Sequence, residues 1–392
     1  MYKRIIILLI FAFGCWIGLF AQKNNTLSSI DKIMLKIPDS LTTSTQRLAS
    51  FINSNYSNQN DKSRAVFIWI AKNIQYDLDN MFAINFYQNT DEVIDIVLKT
   101  RKGICMHFAE LFSDVANKVG IKSYVVSGYT KQNGFVEYIP HAWCVANIDS
   151  SWYMFDPTWG SGYVENSHFI KTINNFYFKA LPTKIIKSHM PFDPMWQFLN
   201  RIITCQEFYD GKLQENAKKP YFNFRDTLLC YEKQSELERL ISSSNRIEKN
   251  GVKSSLVFEK LEHNKRQIDY YQKQIEYKNN KLIADQFNSA ANSYNIGVNS
   301  LNIFISYKNK QFTPLKPDSE ITQMIDTVEA SFKLSREQLS NIVNPDTNTL
   351  SMITQLNKSI DNSYENLNEQ KAFVETYCKT KKFNRRALFY KK

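Results

Sequence analysis

The sequence predicts an α+β fold, in which a helix that carries a cysteine precedes an antiparallel sheet, with an all-α helical hairpin or bundle region towards the C-terminus. The first observation is the helical spacing of apolar residues between Cys105 and Val119, which stops at Gly120. The second is a series of β-branched and aromatic segments directly after that helix. The third is the polar chain beyond about residue 210, whose apolar residues also recur with helical spacing.

The chain is too long for a single core. It has 392 residues, whereas domains cluster near ~100–200 residues. Its 43% hydrophobic and 22% charged residues are typical of a globular protein. We therefore predict a signal peptide over 1–21, an N-terminal helical lead-in over 22–59, the α+β domain over 60–205 and a helical C-terminal region with a basic tail over 210–392.

The first 21 residues have the pattern of a secretory signal peptide. Lys3 and Arg4 form a positively charged start, residues 5–20 are almost wholly apolar, and Ala21 offers a small residue for cleavage. The apolar run is shorter than the roughly 20 residues that span a bilayer. We expect an exported protein (periplasmic, outer-surface or secreted), with an uncleaved anchor or a lipid-modified Cys15 as alternatives.

The formal net charge of +11 favours attraction to acidic surfaces. Seven basic residues lie among the last fourteen, and a solvated tail is the simpler interpretation of this cluster. The charge is not accompanied by an aromatic RNA-binding signature or a zinc finger. We therefore expect no nucleic acid partner.

Five cysteines follow the predicted signal peptide, without the CxxC spacing of zinc ribbons or thioredoxin-type sites. Because five is an odd number, one cysteine stays unpaired in a monomer. Cys105 is the candidate for this free thiol. In an exported protein, Cys205 and Cys230 are the pair that we would test first for a disulfide.

The elements around the cysteine helix follow from local pattern. Residues 41–52 predict an amphipathic helix, and the dense apolar stretch 64–71 predicts a buried one. Three strands are expected after the cysteine helix, over 122–130, 141–148 and 152–155. A tight turn at Asp149 and Ser150 joins the last two strands, which places 141–148 opposite roughly 151–158.

The C-terminal region predicts several helices. One seam repeats every seven residues, at Leu261, Ile268, Ile275 and Leu282. The companion seam is largely polar, so a helical hairpin or bundle fits better than a long dimeric coiled coil. Prolines divide the remainder at Pro314, Pro317 and Pro345. A further helix is built on Ile353, Leu356, Ile360 and Leu367.

Cys105, His141 and Asp156 form a candidate site for nucleophilic catalysis. A thiol attacks as the thiolate, and a helix N-terminus favours that anion. Histidine suits proton transfer at neutral pH. His107 lies two residues from Cys105, on a different helix face, whereas His141 and Trp143 share one face of a strand. The predicted hairpin aligns His141 with the region of Asp156, whose carboxylate can orient the imidazole.

Three sequence blocks resemble, in the same order, the signature blocks of the transglutaminase-like superfamily: Gly103-Ile104-Cys105, His141-Ala142-Trp143 and Asp156-Pro157-Thr158-Trp159-Gly160. The chain is similar in particular to the bacterial and animal group that includes kyphoscoliosis-peptidase-type domains. That similarity extends to 64–70, 74–77 and 160–162. It covers about residues 60 to 200, roughly a third of the chain.

The resemblance implies a papain-like thiol fold with Cys105 as nucleophile, His141 as general base and acid, and Asp156 as the orienting carboxylate. Members of the superfamily form a thioester with a glutamine side chain or peptide carbonyl and pass the acyl group to an amine or water. The chain departs from the family pattern where Met106, His107 and Phe108 follow the cysteine, and their bulk is expected to narrow the cleft. No cofactor is expected, and a metal held by Cys105, His107 and His141 is a minor alternative.

The expected function is that of an exported cysteine peptidase or amidase that acts on protein or peptide. Protein-glutamine acyl transfer to an amine is the alternative of the same class. A noncatalytic binding or scaffold protein of the cell envelope is the alternative of another class, with an envelope partner bound through the C-terminal helices. For the catalytic functions, the Cys105 backbone N–H is the natural first donor to an oxyanion.

Overall fold

The computed structural model describes residues 28–85, 89–213 and 217–390. Two compact units are present, of which the first ends at Gln267 and the second begins at Ile268. The predicted signal peptide over 1–21 lies outside the described residues. In the part of the chain that is described, no helix has both the length and the apolar character needed to cross a membrane.

The elements of the first unit begin with the helices and strands α1 (Ser29–Met34), α2 (Thr45–Asn55), α3 (Gln59–Asn73), β1 (Gln75–Tyr76), α4 (Thr90–Thr100), β2 (Lys102–Gly103), α5 (Cys105–Lys118), β3 (Ser123–Gln132), β4 (Phe135–Ile148) and β5 (Ser151–Phe155). They continue with β6 (Gly162–Glu165), β7 (His168–Lys171), α6 (Pro182–Ile185), β8 (His189–Pro191), α7 (Cys205–Asp210), α8 (Phe224–Lys233) and α9 (Glu236–Asn250). The remaining helices are α10 (Ser255–Asn309), α11 (Asp318–Ser340) and α12 (Thr347–Lys379).

Helix α5 begins at Cys105, as the apolar spacing predicts. Its first turn is capped by His107, whose Nδ1 accepts a hydrogen bond from the Ile104 backbone N–H at 2.9 Å. The helix ends at Lys118, and Gly120 follows with φ at +86°. The apolar face of α5 packs into one core with α2, α3 and α4, so Cys105 is held at the N-terminus of a buried helix.

The main sheet has four antiparallel strands in the order β5-β4-β3-β8. The predicted hairpin register is present, with Ile148 opposite Ser151 and Cys144 opposite Phe155. Asp149 and Ser150 form the turn, with φ at +50° and +64°. Strand β4 starts before the predicted residue 141, because its pairing with β3 continues to Phe135. The predicted α+β class is therefore confirmed, and β8 adds a strand that the sequence did not predict.

The first compact unit extends well beyond the predicted domain limits of 60 and 205. Helices α1 and α2 supply core residues such as Met34 and Leu48, so much of the lead-in packs with the domain. On the C-terminal side, a second apolar cluster joins Tyr129 of β3 with Ile247 of α9 and Leu261 of α10. Short helices bury too little apolar surface by themselves, which explains why those after residue 205 pack onto the sheet domain.

The second unit is a helical bundle formed by the C-terminal part of α10 with α11 and α12. The predicted proline breaks lie between these helices, and Ile360 and Leu367 are fully buried in the bundle core. The predicted seven-residue seam is not a continuous buried seam, since Ile275 and Leu282 are 49% and 58% exposed. The polar companion positions explain this result, because one apolar position per heptad makes too narrow a stripe to bury.

Cys205 and Cys230 do not form the disulfide suggested by the sequence. All five cysteines of the described chain are free thiols. Cys205 is buried at the start of α7, where the Asn250 amide donates to its Sγ at 3.7 Å, whereas Cys230 is exposed on α8. Cys205 packs in the apolar cluster that also contains Tyr129 and Ile247, whereas the Cys230 thiol faces solvent, so the two thiols lie in different environments.

Candidate active site

Cys105 and His141 line the same cleft, which has a volume of about 570 Å³. Helix α5 provides Cys105 from its first residue, and the middle of β4 provides His141. Five aromatic side chains contribute to the walls: Tyr76, Trp159, Tyr163, Phe169 and Tyr177. The cleft therefore has a mixed aromatic and polar lining, which includes Lys131 and Glu137, and the buried side chains of Cys105 and His141 both border it.

His141 is linked to both of the other predicted site residues. Its Nε2 lies 2.8 Å from Asp156 Oδ2, and Asp156 and Cys105 both act to raise its pKa. Because Nε2 is occupied by Asp156, Nδ1 is the nitrogen left to exchange a proton with the thiol. The structure therefore places Asp156 on Nε2 of His141 and brings Cys105 and His141 to the same cleft.

The Asp156 carboxylate is buried and accepts four hydrogen bonds. Oδ1 accepts from the backbone N–H groups of Thr158 at 2.8 Å and Trp159 at 3.1 Å. Oδ2 accepts from Nε2 of His141 at 2.8 Å and from Nε2 of His189 at 3.0 Å. A buried carboxylate is stable as an anion only with such partners.

Gly160 completes the turn that holds Asp156. Its N–H donates to the Asp156 carbonyl oxygen at 2.9 Å. A Cβ at this position would lie 2.3 Å from Cζ of Phe67 and 2.8 Å from that carbonyl oxygen. The final glycine of the third sequence block is therefore explained by close packing of the turn against α3.

His189 is a site residue that the sequence analysis did not predict. It belongs to β8, which pairs with β3 so that His189 lies opposite Thr130. Its side chain is fully buried, and its Nδ1 lies 2.8 Å from Ser188 Oγ. A three-residue strand has no measurable periodicity, and none of the three family blocks includes it. Only the pairing with β3 brings this histidine to Asp156.

The charges of the two histidines differ. Burial by itself lowers the pKa of His141, but the adjacent Asp156 and the hydrogen bond with Cys105 outweigh burial and raise that pKa to about 10. Burial lowers the pKa of His189 despite its hydrogen bond to Asp156. Burial opposes ionisation of Asp156, yet the two histidines hold its pKa well below the usual range. The arrangement is an imidazolium, a carboxylate and a neutral imidazole.

Aromatic rings enclose this polar cluster. The ring centroid of Trp143 lies 6.1 Å from that of His141, and the ring centroid of Trp159 lies 5.5 Å from His141 and 4.7 Å from His189. Trp152, in contrast, stacks on Phe198 at 4.9 Å on another part of the sheet. Trp143 and Trp159 therefore exclude water from the Asp156 side of the imidazole rings.

The three residues after Cys105 do not narrow the cleft, contrary to the expectation from their bulk. Met106 and Phe108 are buried in the core of the first unit, and His107 faces Ile104 as a helix cap. The helix directs these side chains away from the groove, whose described lining contains none of them. The departure from the family pattern is accommodated by core packing.

The metal ligands suggested by the sequence, Cys105, His107 and His141, do not form one group of ligand atoms in the described part of the chain. Within the described ranges, the group whose ligand atoms approach closely enough consists of His141, Asp156 and His189, all within 4.8 Å of one another. His107 is not among them, because its Nδ1 bonds to the Ile104 N–H. The Nε2 atoms of His141 and His189 both lie at hydrogen-bond distance from Asp156 Oδ2. These two hydrogen bonds explain why the three side chains lie close together.

Cys144 is the cysteine of the sheet, and its surroundings differ from those of Cys105. Its Sγ donates to the Ala109 carbonyl oxygen at 3.1 Å, and burial raises the pKa of its thiol well above the ordinary value. Cys144 therefore acts as a core residue.

Known proteins share this domain. The family model of the transglutaminase-like superfamily matches residues 46–157. Kyphoscoliosis peptidase of Mus musculus is 31% identical over 158 residues, which cover 38% of this chain, and that of Homo sapiens matches equally. The matched segment spans 23% of the length of these curated relatives.

A solved structure described as a TGase is 17% identical, with a TM-score of 0.28, and the alignment covers 56% of this chain and 51% of that chain. Helix α5 with its N-terminal Cys105, the antiparallel sheet and the order of the three blocks agree with the family match. The prediction of the superfamily is thereby confirmed. This chain contains a domain of the transglutaminase-like superfamily.

Proposed function

We propose that the first unit is a cysteine hydrolase, a peptidase or amidase, that acts on protein or peptide through Cys105, His141 and Asp156. The observation that carries this proposal is the continuous series at one cleft: Cys105 and His141 line it, and His141 Nε2 bonds to Asp156 at 2.8 Å. A nucleophile, a base and an orienting group within hydrogen-bond reach are the requirements of covalent acyl transfer.

Acylation begins with attack of the Cys105 thiolate on the carbonyl carbon of the substrate. The C–S bond forms, and the carbonyl oxygen becomes an oxyanion near the backbone N–H of Cys105 at the start of α5. The C–N bond then breaks, and the His141 imidazolium gives its Nδ1 proton to the departing amine. A thioester and a neutral imidazole remain, with Asp156 still bonded at Nε2.

Deacylation uses the same groups in the opposite direction. Neutral His141 takes a proton from water, and the resulting hydroxide forms a C–O bond with the thioester carbonyl. The C–S bond breaks, the carboxylic acid leaves, and the thiolate–imidazolium pair is restored. The net reaction is hydrolysis of one amide bond by one water molecule.

The walls of the cleft favour substrates with apolar or aromatic side chains near the scissile amide. Tyr163 and Val164 are each 50% exposed, and Trp159 lies beside His141. Burial of an apolar side chain contributes roughly 1.5–3 kcal/mol of binding free energy, so this part of the lining favours apolar residues, while Lys131 and Glu137 offer charged contacts in the same cleft. We therefore propose a protein or peptide substrate that is apolar at this position.

The first experiment compares alkylation of Cys105 by iodoacetamide in the wild type and in His141→Ala, with the label located by mass spectrometry. We expect His141→Ala to slow labelling at pH 7 by about tenfold or more, because a neutral thiol is a poor nucleophile. His168→Ala is a matched control, since His168 is exposed on β7. Equal labelling rates in all three proteins would reject an activated Cys105.

Turnover tests distinguish the hydrolase from its alternatives. A peptide library should yield cleavage that disappears in Cys105→Ala, with a preference for apolar residues beside the cleaved bond. Incorporation of a labelled amine into protein glutamine, without hydrolysis, would instead identify a protein-glutamine acyltransferase. An unreactive Cys105, with partner binding that survives Cys105→Ala, would identify a noncatalytic scaffold.

The scaffold alternative is supported by one feature of the second unit. Ile275 and Leu282 of α10 are large apolar side chains that are 49% and 58% exposed. An envelope protein bound at this surface is the partner we propose for that alternative. Crosslinking from residue 275 in cells, compared with crosslinking from a polar residue such as Lys273, tests this partner.

Export is part of the proposal and is supported by the charge and apolar pattern of residues 1–21. We expect the mature protein to begin at Gln22. N-terminal sequencing of protein expressed in a bacterial host checks this expectation, and a retained Met1 in the soluble fraction of the cytoplasm would contradict it.

A further inference from the structure

His189 makes the most buried polar contact of the site, and the proposed reaction leaves it without a role. Its side chain has no solvent exposure, and its Nε2 lies 3.0 Å from Asp156 Oδ2. The Asp156 oxygen that it contacts is the same one that binds His141. Two histidines therefore share one carboxylate oxygen inside an aromatic enclosure.

The hydrogen-bond partners of His189 determine its tautomer. Asp156 is an anion and can only accept, so Nε2 of His189 carries the proton. At the opposite side of the ring, Ser188 Oγ lies 2.8 Å from Nδ1 and 3.3 Å from the Ile185 carbonyl oxygen, and its one proton points to Nδ1 when the ring is neutral. The groups that face His189 are Asp156, His141, Ser188, Trp143, Trp159 and Tyr177. A neutral Nε2–H imidazole satisfies both polar contacts.

We propose that His189 is a positioning residue of the Cys105–His141–Asp156 site, which holds the Asp156 carboxylate with a second hydrogen bond so that His141 presents Nδ1 to Cys105. This inference rests on the proposed function, because it assigns a residue to the same reaction. His189 acts through Asp156 and His141.

The geometry explains why a second imidazole is useful. The N–H groups of Thr158 and Trp159 hold Oδ1, while His141 and His189 hold Oδ2, so the carboxyl plane is fixed from both ends. With His189 removed, His141 would be the one remaining side chain of the described site that binds Oδ2. The carboxylate could then rotate, and the direction of the His141 Nδ1 would be less well defined.

Because His189 is a neutral donor, the positive charge of the site stays on His141, which exchanges the proton in the proposed reaction. A cationic His189 would compete with His141 for the negative charge of Asp156 and would repel the imidazolium. As a neutral donor, His189 stabilises the carboxylate without this repulsion. The proton that takes part in acyl transfer therefore stays on His141.

The test measures iodoacetamide labelling of Cys105 from pH 5 to 9 in the wild type, His189→Ala and His189→Gln. We expect His189→Ala to slow labelling at pH 7 by about tenfold, because a hydrogen bond to a charged group is lost. Its pH profile should move towards that of His141→Ala. The glutamine amide can still donate to Asp156, so His189→Gln should recover most of the rate and the wild-type profile.

The outcomes separate this inference from the proposed function. If the wild type labels no faster than His141→Ala, the proposed function fails. If the wild type is activated and folded His189→Ala keeps its rate and profile, the role of His189 is refuted while the proposed function stands. Far-UV circular dichroism identifies variants that fail to fold.

A measurement on the wild type is independent of any variant. ¹⁵N chemical shifts of His189 should report a protonated Nε2 and an unprotonated Nδ1 between pH 6 and 8. A doubly protonated or Nδ1–H ring in this range would overturn the assignment, because Nε2 would not be a neutral donor to Asp156.

Discussion

Asp156 shows how one buried side chain can organise a site. A carboxylate transferred from water into a protein interior loses its hydration, and this loss must be offset by hydrogen bonds. Asp156 receives two from its own turn and two from histidines on β4 and β8. The turn is local in sequence, whereas the histidines come from different strands, so the carboxylate connects three parts of the domain.

The raised pKa of His141 predicts a specific dependence of stability on pH. In the unfolded chain a histidine titrates near 6.5, whereas in the folded protein Asp156 and Cys105 raise the pKa of His141 to about 10. The stabilisation from its charge is therefore fully present below about pH 6.5 and is lost as pH rises towards 10. We expect the free energy of unfolding of the wild type, relative to His141→Gln, to decrease over this interval.

Urea unfolding of both proteins at a series of pH values provides this measurement. Groups remote from His141 are common to the two proteins and cancel in the difference, whereas the neighbours Cys105, Asp156 and His189 contribute to it because they are electrostatically coupled to His141. A difference that is constant or grows between pH 6.5 and 10 would show that His141 is not held as a cation in the folded state.

At the scale of elements, the start of α5 is fixed by a histidine that has no part in the proposed chemistry. His107 Nδ1 accepts from the Ile104 N–H, and burial lowers the pKa of His107, which keeps the ring neutral and able to accept. Gly103 is required beside it, because a Cβ there would lie 2.6 Å from the His107 Cβ. Capping and close packing thus place Cys105 at the first position of the helix.

Replacement of His107 tests this interpretation of the helix start. We expect His107→Ala to lower the free energy of unfolding by about 1 kcal/mol, because the Ile104 N–H loses its acceptor. His107→Gln should retain most of the stability, since a glutamine at the third helical position can accept the same hydrogen bond. Urea unfolding gives both values.

The labelling rate of Cys105 provides the control for these two variants. His107→Gln should react with iodoacetamide at the wild-type rate, since His141 is the proposed base. A loss of labelling comparable with that of His141→Ala would instead assign His107 a part in activating the thiol.

At the scale of the whole molecule, the two compact units have separate cores. In the second unit, Phe332 of α11 is fully buried, with its ring centroid 5.7 Å from that of Tyr294 and 5.6 Å from that of Tyr364. Gly297 of α10 provides space for it, because a Cβ there would lie 2.5 Å from the Phe332 ring. The catalytic residues proposed for the first unit take no part in this packing.

We expect Phe332→Ala to destabilise the second unit by about 3–5 kcal/mol, because a large cavity forms in its core. Urea unfolding followed by circular dichroism measures this loss, and Leu334→Ala is the control, since Leu334 is 48% exposed. Labelling of Cys105 under native conditions should be unchanged in both variants. A large change in Phe332→Ala alone would show that the bundle core influences the candidate site.

Local signals in the sequence determined the helix that begins at Cys105, the hairpin register that pairs 144–148 with 151–155, and the proline-separated helices of the C-terminal region. These features depend on side-chain period, caps and tight turns, which involve residues close together in the chain. The superfamily could be predicted for the same reason, since its three blocks lie on these elements.

Tertiary structure alone decided the place of β8, the approach of His189 to Asp156, the exposure of Ile275 and Leu282, and the extent of the first unit to Gln267. Each of these features depends on which segment, distant in the sequence, packs against a given strand or helix face. Short strands and single apolar seams carry too little local preference to specify that choice. Their burial is determined by the contacts that remain favourable once the larger elements have packed.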